Sequence, residues 1–309
     1  MRHGAWLLGG IAAAGLGAVA YQRWSATGPT SFAAEYERLA TAELALGHRP
    51  GQVTEVDLAR LPPPVARFLR ATGAVGAPRI SNFRATIHGR IRSDVGQRWM
   101  PFTGEQVNRY GPVPSRLFHI TARMRGAPVD VLHSFIGEAA TMRVRALSLV
   151  PIVDARGQEM NRSETVTIFN DMCVLAPAAL VDADIAWEPV DDRTARGDYT
   201  RLGQVVGATL YFDDQDRLID FVSDDRFRSS GDGSEFTSQR WSTPLCGYRP
   251  VRGRTVCTIG TANWHPDPDG PGTTYLDFRL DDIEYNVGPD AVSRRRAGRP
   301  RTPASRSGR

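Results

Sequence analysis

The chain has 309 residues, 41% of them hydrophobic, which is enough to bury a sizeable core and too apolar for a disordered polypeptide. Its formal charge of +4 comes from its ends: nine of the 38 arginines lie in residues 1–30 and 293–309, leaving 29 against 34 acids, a net of −5, for residues 31–292. An acidic body argues against nucleic acid as a partner. The absence of any lysine excludes a phosphate-binding GxxxxGK[ST] loop, and no GxSxG nucleophile elbow occurs.

Residues 5–21, "AWLLGGIAAAGLGAVAY", form an uncharged run behind Arg2 and His3. As a helix it would span about 25 Å, just under the ~30 Å hydrocarbon core. Residues 1–24 therefore read as an N-terminal signal-anchor in the cell membrane, with the body extracytoplasmic. Ala18-Val19-Ala20 also fits a cleavage site, so the alternative is a signal peptide removed near Ala20 and a secreted body. Residues 25–78 are expected to be a helical lead-in. There, Phe32, Tyr36, Leu39 and Leu44 recur at helical spacing behind Thr30 and Ser31, and the prolines of "PPPVARFLRAT" suit the first turn of a second helix.

From residue 79 the apolar period changes to two. "NFRATIHGRIR" puts Phe83, Ala85, Ile87, Gly89 and Ile91 on one face of a strand and Arg84, Thr86, His88, Arg90 and Arg92 on the other, wet face. Further strands are expected at 99–108, 116–124, 129–135 and 141–149, a hairpin at 205–223 turning through "DDQD", and strands at 236–243, 254–264 and 274–285. The fold class is α+β: one large curved antiparallel sheet, a half-barrel over residues 79–288, with an inserted helix and N-terminal helices. Residues 289–309 are Arg-rich and hold too few large apolar side chains for a core. They are expected to be a disordered tail, either merely solvated or an electrostatic arm for an anionic surface.

The inserted helix is expected over 161–175. In "QEMNRSETVTIFNDMCVLAP" Val166, Phe169, Met172 and Cys173 fall three or four apart, and Asn161 and Glu164 have the spacing of a capping box. Its apolar side would face the concave sheet, where Ala122, Gly207 and Ala208 supply small side chains. The helix either plugs the sheet completely or leaves room for an apolar ligand.

"EMNRSETVTIFNDMCVLAP", Trp187-Glu188, "GATLYFDDQDRLIDF", "RWSTPLCGYRPVRGRTVCTIGTANW" and "DDIEYN" together resemble a bacterial family of uncharacterised, often membrane-anchored proteins known only as a domain of unknown function. The resemblance covers residues 61–286 and brings no activity. The layout is more distantly similar to the LolA and LppX type of envelope lipid carriers, half-barrels with an apolar cavity, and this implies a lipid or another apolar small molecule as ligand.

Glu164 and Asp171 on the helix are the candidate catalytic residues, since a carboxylate facing a cavity would have the raised pKa suited to acid or base work. Phe169, Met172, Trp187, Trp241, Tyr248 and Trp264 are the candidate ligand-binding residues. No metal or cofactor is expected. "HPDPDG" imitates a calcium loop through Asp267, Asp269 and Gly270, but the final ligand position falls on Leu276, so the segment reads as a turn. Cys173, Cys246 and Cys257 have no metal-ligand spacing. They read as small reduced hydrophobes, with a Cys246–Cys257 bridge the alternative. The leading functional reading is a membrane-anchored binder of an apolar ligand. Its alternatives are a hydrolase-like enzyme using Glu164 or Asp171 and a structural envelope protein without a ligand.

Overall fold

The computed structural model describes residues 21–22, 24–47, 51–94 and 96–292; most of the candidate anchor and residues 293–309 of the tail lie outside them. No helix among the described residues is long and apolar enough to cross a membrane. After a short helical stretch at 24–27 come the helices α1 (Phe32–Leu44), α2 (Glu55–Leu58) and α3 (Pro63–Ala71). Ser31 starts α1 by accepting the Ala34 amide on its hydroxyl at 3.1 Å, and α3 opens on Pro63 and Pro64 after an extended Pro62.

Six strands follow as a meander: β1 (Asn82–Ile91), β2 (Met100–Arg109), β3 (Ser115–Met124), β4 (Ala127–Ile136), β5 (Ala139–Ala146) and β6 (Val150–Ala155). Then come α4 (Gln158–Leu175) and a 3-10 turn (Pro177–Val181). The second run is β7 (Ile185–Asp191), β8 (Thr194–Arg201), β9 (Gln204–Phe212), β10 (Leu218–Ser223), β11 (Phe227–Ser229), β12 (Phe236–Ser238), β13 (Arg240–Ser242), β14 (Leu245–Cys246), β15 (Arg249–Val251), β16 (Arg254–Val256), β17 (Ile259–His265) and β18 (Thr273–Tyr285). The 14-stranded antiparallel sheet runs β6-β5-β4-β3-β2-β1-β18-β17-β13-β10-β9-β8-β7, with β14 also on β17. Its two edges, β6 and β7, do not pair, so the sheet is an open half-barrel. Each edge carries a proline, Pro151 and Pro189, where a missing amide is tolerated.

The helix α4 is the chain's bridge between these two edges. Its 18 residues span about 27 Å at 1.5 Å each. It packs on β5 at one flank and on β9 and β10 at the other, which requires the sheet to curl around it. The helix begins three residues before the expected start because Gly157, at φ 110°, turns the chain out of β6. The capping-box expectation fails for the same reason. Asn161 lies inside the helix and accepts the Ala140 amide at 2.8 Å, while Glu164 pairs with Arg116. Nor is the helix amphipathic: Met160 and all residues from Ser163 to Leu175 are buried.

On the convex side, Phe32, Tyr36, Ala40 and Leu44 of α1 pack against Val107, Leu117 and Leu132. Glu43 fixes the helix there, accepting from Arg109 Nε at 2.8 Å and Ser115 Oγ at 2.6 Å. This cover corrects the expected wet face of β1 in its first half, where Arg84 and Thr86 are 7% and 8% exposed, while His88 and Arg90 are exposed as expected. The thiols are free, and the Cys257 sulfur donates to the Cys246 carbonyl at 3.2 Å where a bridge was the alternative. "HPDPDG" is a turn closed by the Gly270 amide on the Asp267 carbonyl at 3.0 Å.

Half-buried Asp220 on β10 gives a pH test of the packing. Burial pushes its carboxyl up to about 6 from an ordinary 3.8, against partial relief from the Phe221 and Thr243 amides. Its contribution is therefore full below pH 3.8 and is lost as pH rises through about 6, on the order of 3 kcal/mol in all. Asp220→Asn should flatten that decline in urea melts between pH 4 and pH 6.5. Parallel curves for the two proteins would rule out the assignment.

Candidate functional site

The polar residues of α4 face the sheet, and the residue that meets them is Arg116 of β3. Its Nε donates to Asp171 Oδ2 at 2.8 Å and its Nη1 to Glu164 Oε2 at 3.0 Å. Asp171 Oδ2 also accepts from Gln106 Nε2 at 2.7 Å and Asn108 Nδ2 at 2.9 Å, both on β2. All five side chains are buried. Burial opposes ionisation of Glu164, but Arg116, with His133 and Arg226, overrides it and holds the carboxyl well below the usual range. For Asp171 burial wins, reinforced by Glu164, and its pKa is raised.

The other oxygen of Glu164 looks onto a less complete arrangement. Oε1 lies 3.7 Å from His133 Nδ1 and 4.0 Å from an Arg226 Nη2, both beyond hydrogen-bond distance. His133 Nδ1 and Arg226 Nε are buried and have no hydrogen-bond partner among the described residues. The Arg226 guanidinium stacks on Trp241 at 4.1 Å and lies 5.6 Å from the Trp264 ring, and Trp241 Nε1 donates to the Tyr275 hydroxyl at 3.1 Å.

Beyond this polar cluster the concave face continues past the reach of α4. Strand register carries one row through Ile120, Val131, Val144 and Val153. The next row holds Phe278, Gly89, Phe102, Ala122 and Val129. Leu276, Ile91 and Met100 form a third. Seven neighbouring strands from β18 to β6 contribute, about 29 Å along the curved surface at ~4.8 Å per strand. Val131, Val144, Val153, Phe278, Leu276, Ile91 and Met100 are half-buried and packed against the core, and the curved sheet makes of these rows a shallow apolar trough.

The β11–β12 hairpin spans that trough. At its base Ser163 of α4 accepts the Phe227 amide at 2.9 Å. Arg228 reaches Asp94, in the turn after β1, at 2.9 Å. Gly233, at φ 80°, seats the tip on β6, where a Cβ would lie 2.8 Å from Val153. Phe236 packs from the hairpin against the core.

Two further spaces are smaller in promise. A cavity of about 160 Å³ at the far end of α4 is lined by Ile80, Tyr110, Pro112, Met172, Ala179 and Tyr199 among others. It is comparable to a hole that holds one benzene ring, ~150 Å³, and too small for a lipid. A wider depression of about 310 Å³ is walled by Arg67, Arg193 and four aspartates and is open to solvent, with Arg67 already paired to Asp216 at 2.8 Å.

Each residue singled out from sequence now has a place. Glu164 and Asp171 come together on Arg116. Phe169 is fully buried among Trp187, Tyr199 and Phe221, with ring centroids at 6.1, 5.5 and 5.3 Å, on the β8–β10 side of the helix. Met172 lines the small cavity, and Trp241 and Trp264 flank Arg226. Tyr248 stands apart, its hydroxyl donating to the Leu218 carbonyl at 2.8 Å. Sequence reading passed over Arg116, His133, Arg226, Gln106 and Asn108. A signal existed for four of these: Arg116 shares the inward parity of Phe118 and Ile120, Gln106 and Asn108 share that of Phe102 and Gly104, and His133 shares that of Val131 and Phe135. A polar residue in an apolar row is an inward-facing polar residue.

The model of a family of unknown function, DUF6544, matches residues 51–278. Among solved structures the chain is similar to a putative outer membrane lipoprotein-sorting protein domain from Vibrio parahaemolyticus, at 10% identity and a TM-score of 0.38 over 67% of this chain and 86% of that one. It is also similar to a DUF1329 family protein from Desulfovibrio piger, at 12% identity and a TM-score of 0.30 over 77% and 95% of the two chains. LprF from Mycobacterium bovis is similar at 11% identity and a TM-score of 0.23, over 77% of this chain and 99% of that one. No curated protein sequence matches.

Proposed function

We infer that this chain, which belongs to the DUF6544 family of unknown function, is a binding protein for a single apolar chain, a lipid or a molecule like one, laid in the trough beneath the β11–β12 hairpin. The observation that carries the reading is the set of half-buried apolar side chains, contiguous across seven strands, on the inner face that α4 leaves uncovered. A contiguous row of half-buried apolar side chains is what a ligand groove presents. One acyl chain, about half of a ~30 Å hydrocarbon core, fits within the trough's length. The carboxylates of Glu164 and Asp171 are committed to Arg116, which favours binding over hydrolysis. The uncharged run at 5–21 would tether the body to the membrane with the trough on the extracytoplasmic side, and the arginines of 293–309 would add a salt-sensitive hold on anionic lipid.

The test uses the full chain and N-phenyl-1-naphthylamine, whose fluorescence rises in apolar surroundings. The wild type should enhance it saturably, and a Val131→Arg/Val144→Arg variant that keeps its melting temperature should not. Equal enhancement by both proteins, or none by either, would overturn the reading.

A further inference from the structure

Beside the apolar rows of the trough, Arg226, His133 and Glu164 meet between α4 and the wall formed by Trp241 and Trp264. Arg226 Nε offers a proton with no acceptor, and His133 Nδ1 is likewise unmatched among the described residues. Both side chains keep some solvent contact, 12% and 18%, whereas Glu164 keeps 3%. A buried donor left unmatched is costly, so an oxygen that reaches it from a ligand is favoured by more than an ordinary surface contact.

Charge decides which kind of oxygen. The groups facing this point are Arg116 and Arg226 against Glu164 and Asp171, with His133 beside them. Asp171 Oδ2 takes three N–H donors, which favour the carboxylate against the burial that raises its pKa, and Glu164 Oε2 takes Arg116. Two cations and two anions balance without a ligand. An acidic headgroup would add an unpaired negative charge a few ångströms from Glu164 Oε1, in a place where burial makes that expensive. A hydroxyl or an ester carbonyl adds none. The oxygen of a hydroxyl can accept from Arg226 while its proton goes to Glu164 Oε1.

We propose that the trough selects single-chain lipids whose headgroup is uncharged and oxygen-bearing, an alcohol or an ester, with that oxygen on Arg226. The inference rests on the apolar-ligand reading above and adds the headgroup chemistry to it.

The experiment compares four compounds, each with a twelve-carbon chain, as competitors for N-phenyl-1-naphthylamine on the full chain: dodecane, dodecanol, monolauroylglycerol and laurate. Dodecanol and monolauroylglycerol should displace the probe at about tenfold lower concentration than dodecane or laurate, the value of one good hydrogen bond. Arg226→Met should erase that advantage and Arg226→Gln, which keeps an N–H donor, should restore part of it. The comparison of ligands on the wild type stands even if the Arg226→Met protein fails to fold. Dodecane competing as well as dodecanol would overturn the headgroup proposal and leave the apolar trough standing, and so would laurate competing best. Displacement by none of the four would remove the trough reading itself.

Discussion

Phe169→Ala should lower the stability of the body by about 3 to 5 kcal/mol, read as a shift in the urea or thermal midpoint, while leaving the affinity for an apolar probe unchanged in the folded protein. The ring is wholly buried and meets Tyr199, Phe221 and Trp187 at aromatic contact distances, two of the three edge-on. Room for this cluster is made by Gly197, where a Cβ would lie 2.8 Å from the Trp187 ring and 3.0 Å from Phe169. With neighbours fixed by the strands β8 and β10, the space left by the ring cannot collapse easily. The expected loss therefore sits in the upper part of the range for large-to-small changes. A loss below about 1 kcal/mol would mean that the cluster repacks. A normal midpoint shift accompanied by lost probe binding would instead move the ligand from the trough to the β8–β10 side of the helix.

The same residue marks how far the sequence could be read. The stripe of Val166, Phe169, Met172 and Cys173 identifies the helix and its burial, and the period-two pattern of β1 to β5 identifies the meander, because each depends on local spacing. The strands β6, β7 and β8 were not legible. β6 and β7 are mostly exposed edge strands that carry a proline each, and β8 interleaves Arg196, Gly197 and Asp198, so none of them alternates cleanly. The site was less legible still. Glu164 and Asp171 were recognisable as polar residues on a helix, but a helix period cannot tell which side a second element will cover. Arg116 lies 48 and 55 residues away from them in sequence, on a strand whose pairing with the helix exists only once the sheet has curled. Arg226 belongs to a short connection before β11, where no period applies at all. The trough is invisible in sequence because a half-buried valine and a fully buried one spell the same pattern.

Arg116→Met should have the largest effect of any single change at the site, about 3 to 5 kcal/mol at neutral pH, because it leaves two buried carboxylates with one cation lost. The penalty comes from stranding Glu164 and Asp171, so Arg116→Met combined with Glu164→Gln and Asp171→Asn should recover much of the loss. Acid separates this account from a simple packing defect. In the wild type Glu164 is held below its ordinary 4.5, so its contribution is present above that pH and is lost as pH falls through the folded value. Asp171 is raised, and its contribution runs the other way, fully present at low pH and lost as pH rises. Without the guanidinium, burial is opposed only by His133 and Arg226 at Glu164 and by the Gln106 and Asn108 amides at Asp171, so both folded values should rise. The variant should therefore gain more stability than the wild type as pH falls from 7 toward 4.5, beyond the rise that Asp220 gives to both proteins, and the two stability curves should converge. Urea melts of both proteins at intervals across that range give the answer directly. A deficit that stays constant with pH would mean that Arg116 acts through its packing against Phe118, whose ring lies 5.4 Å from the guanidinium, and that its charge contributes little to holding α4 on the sheet.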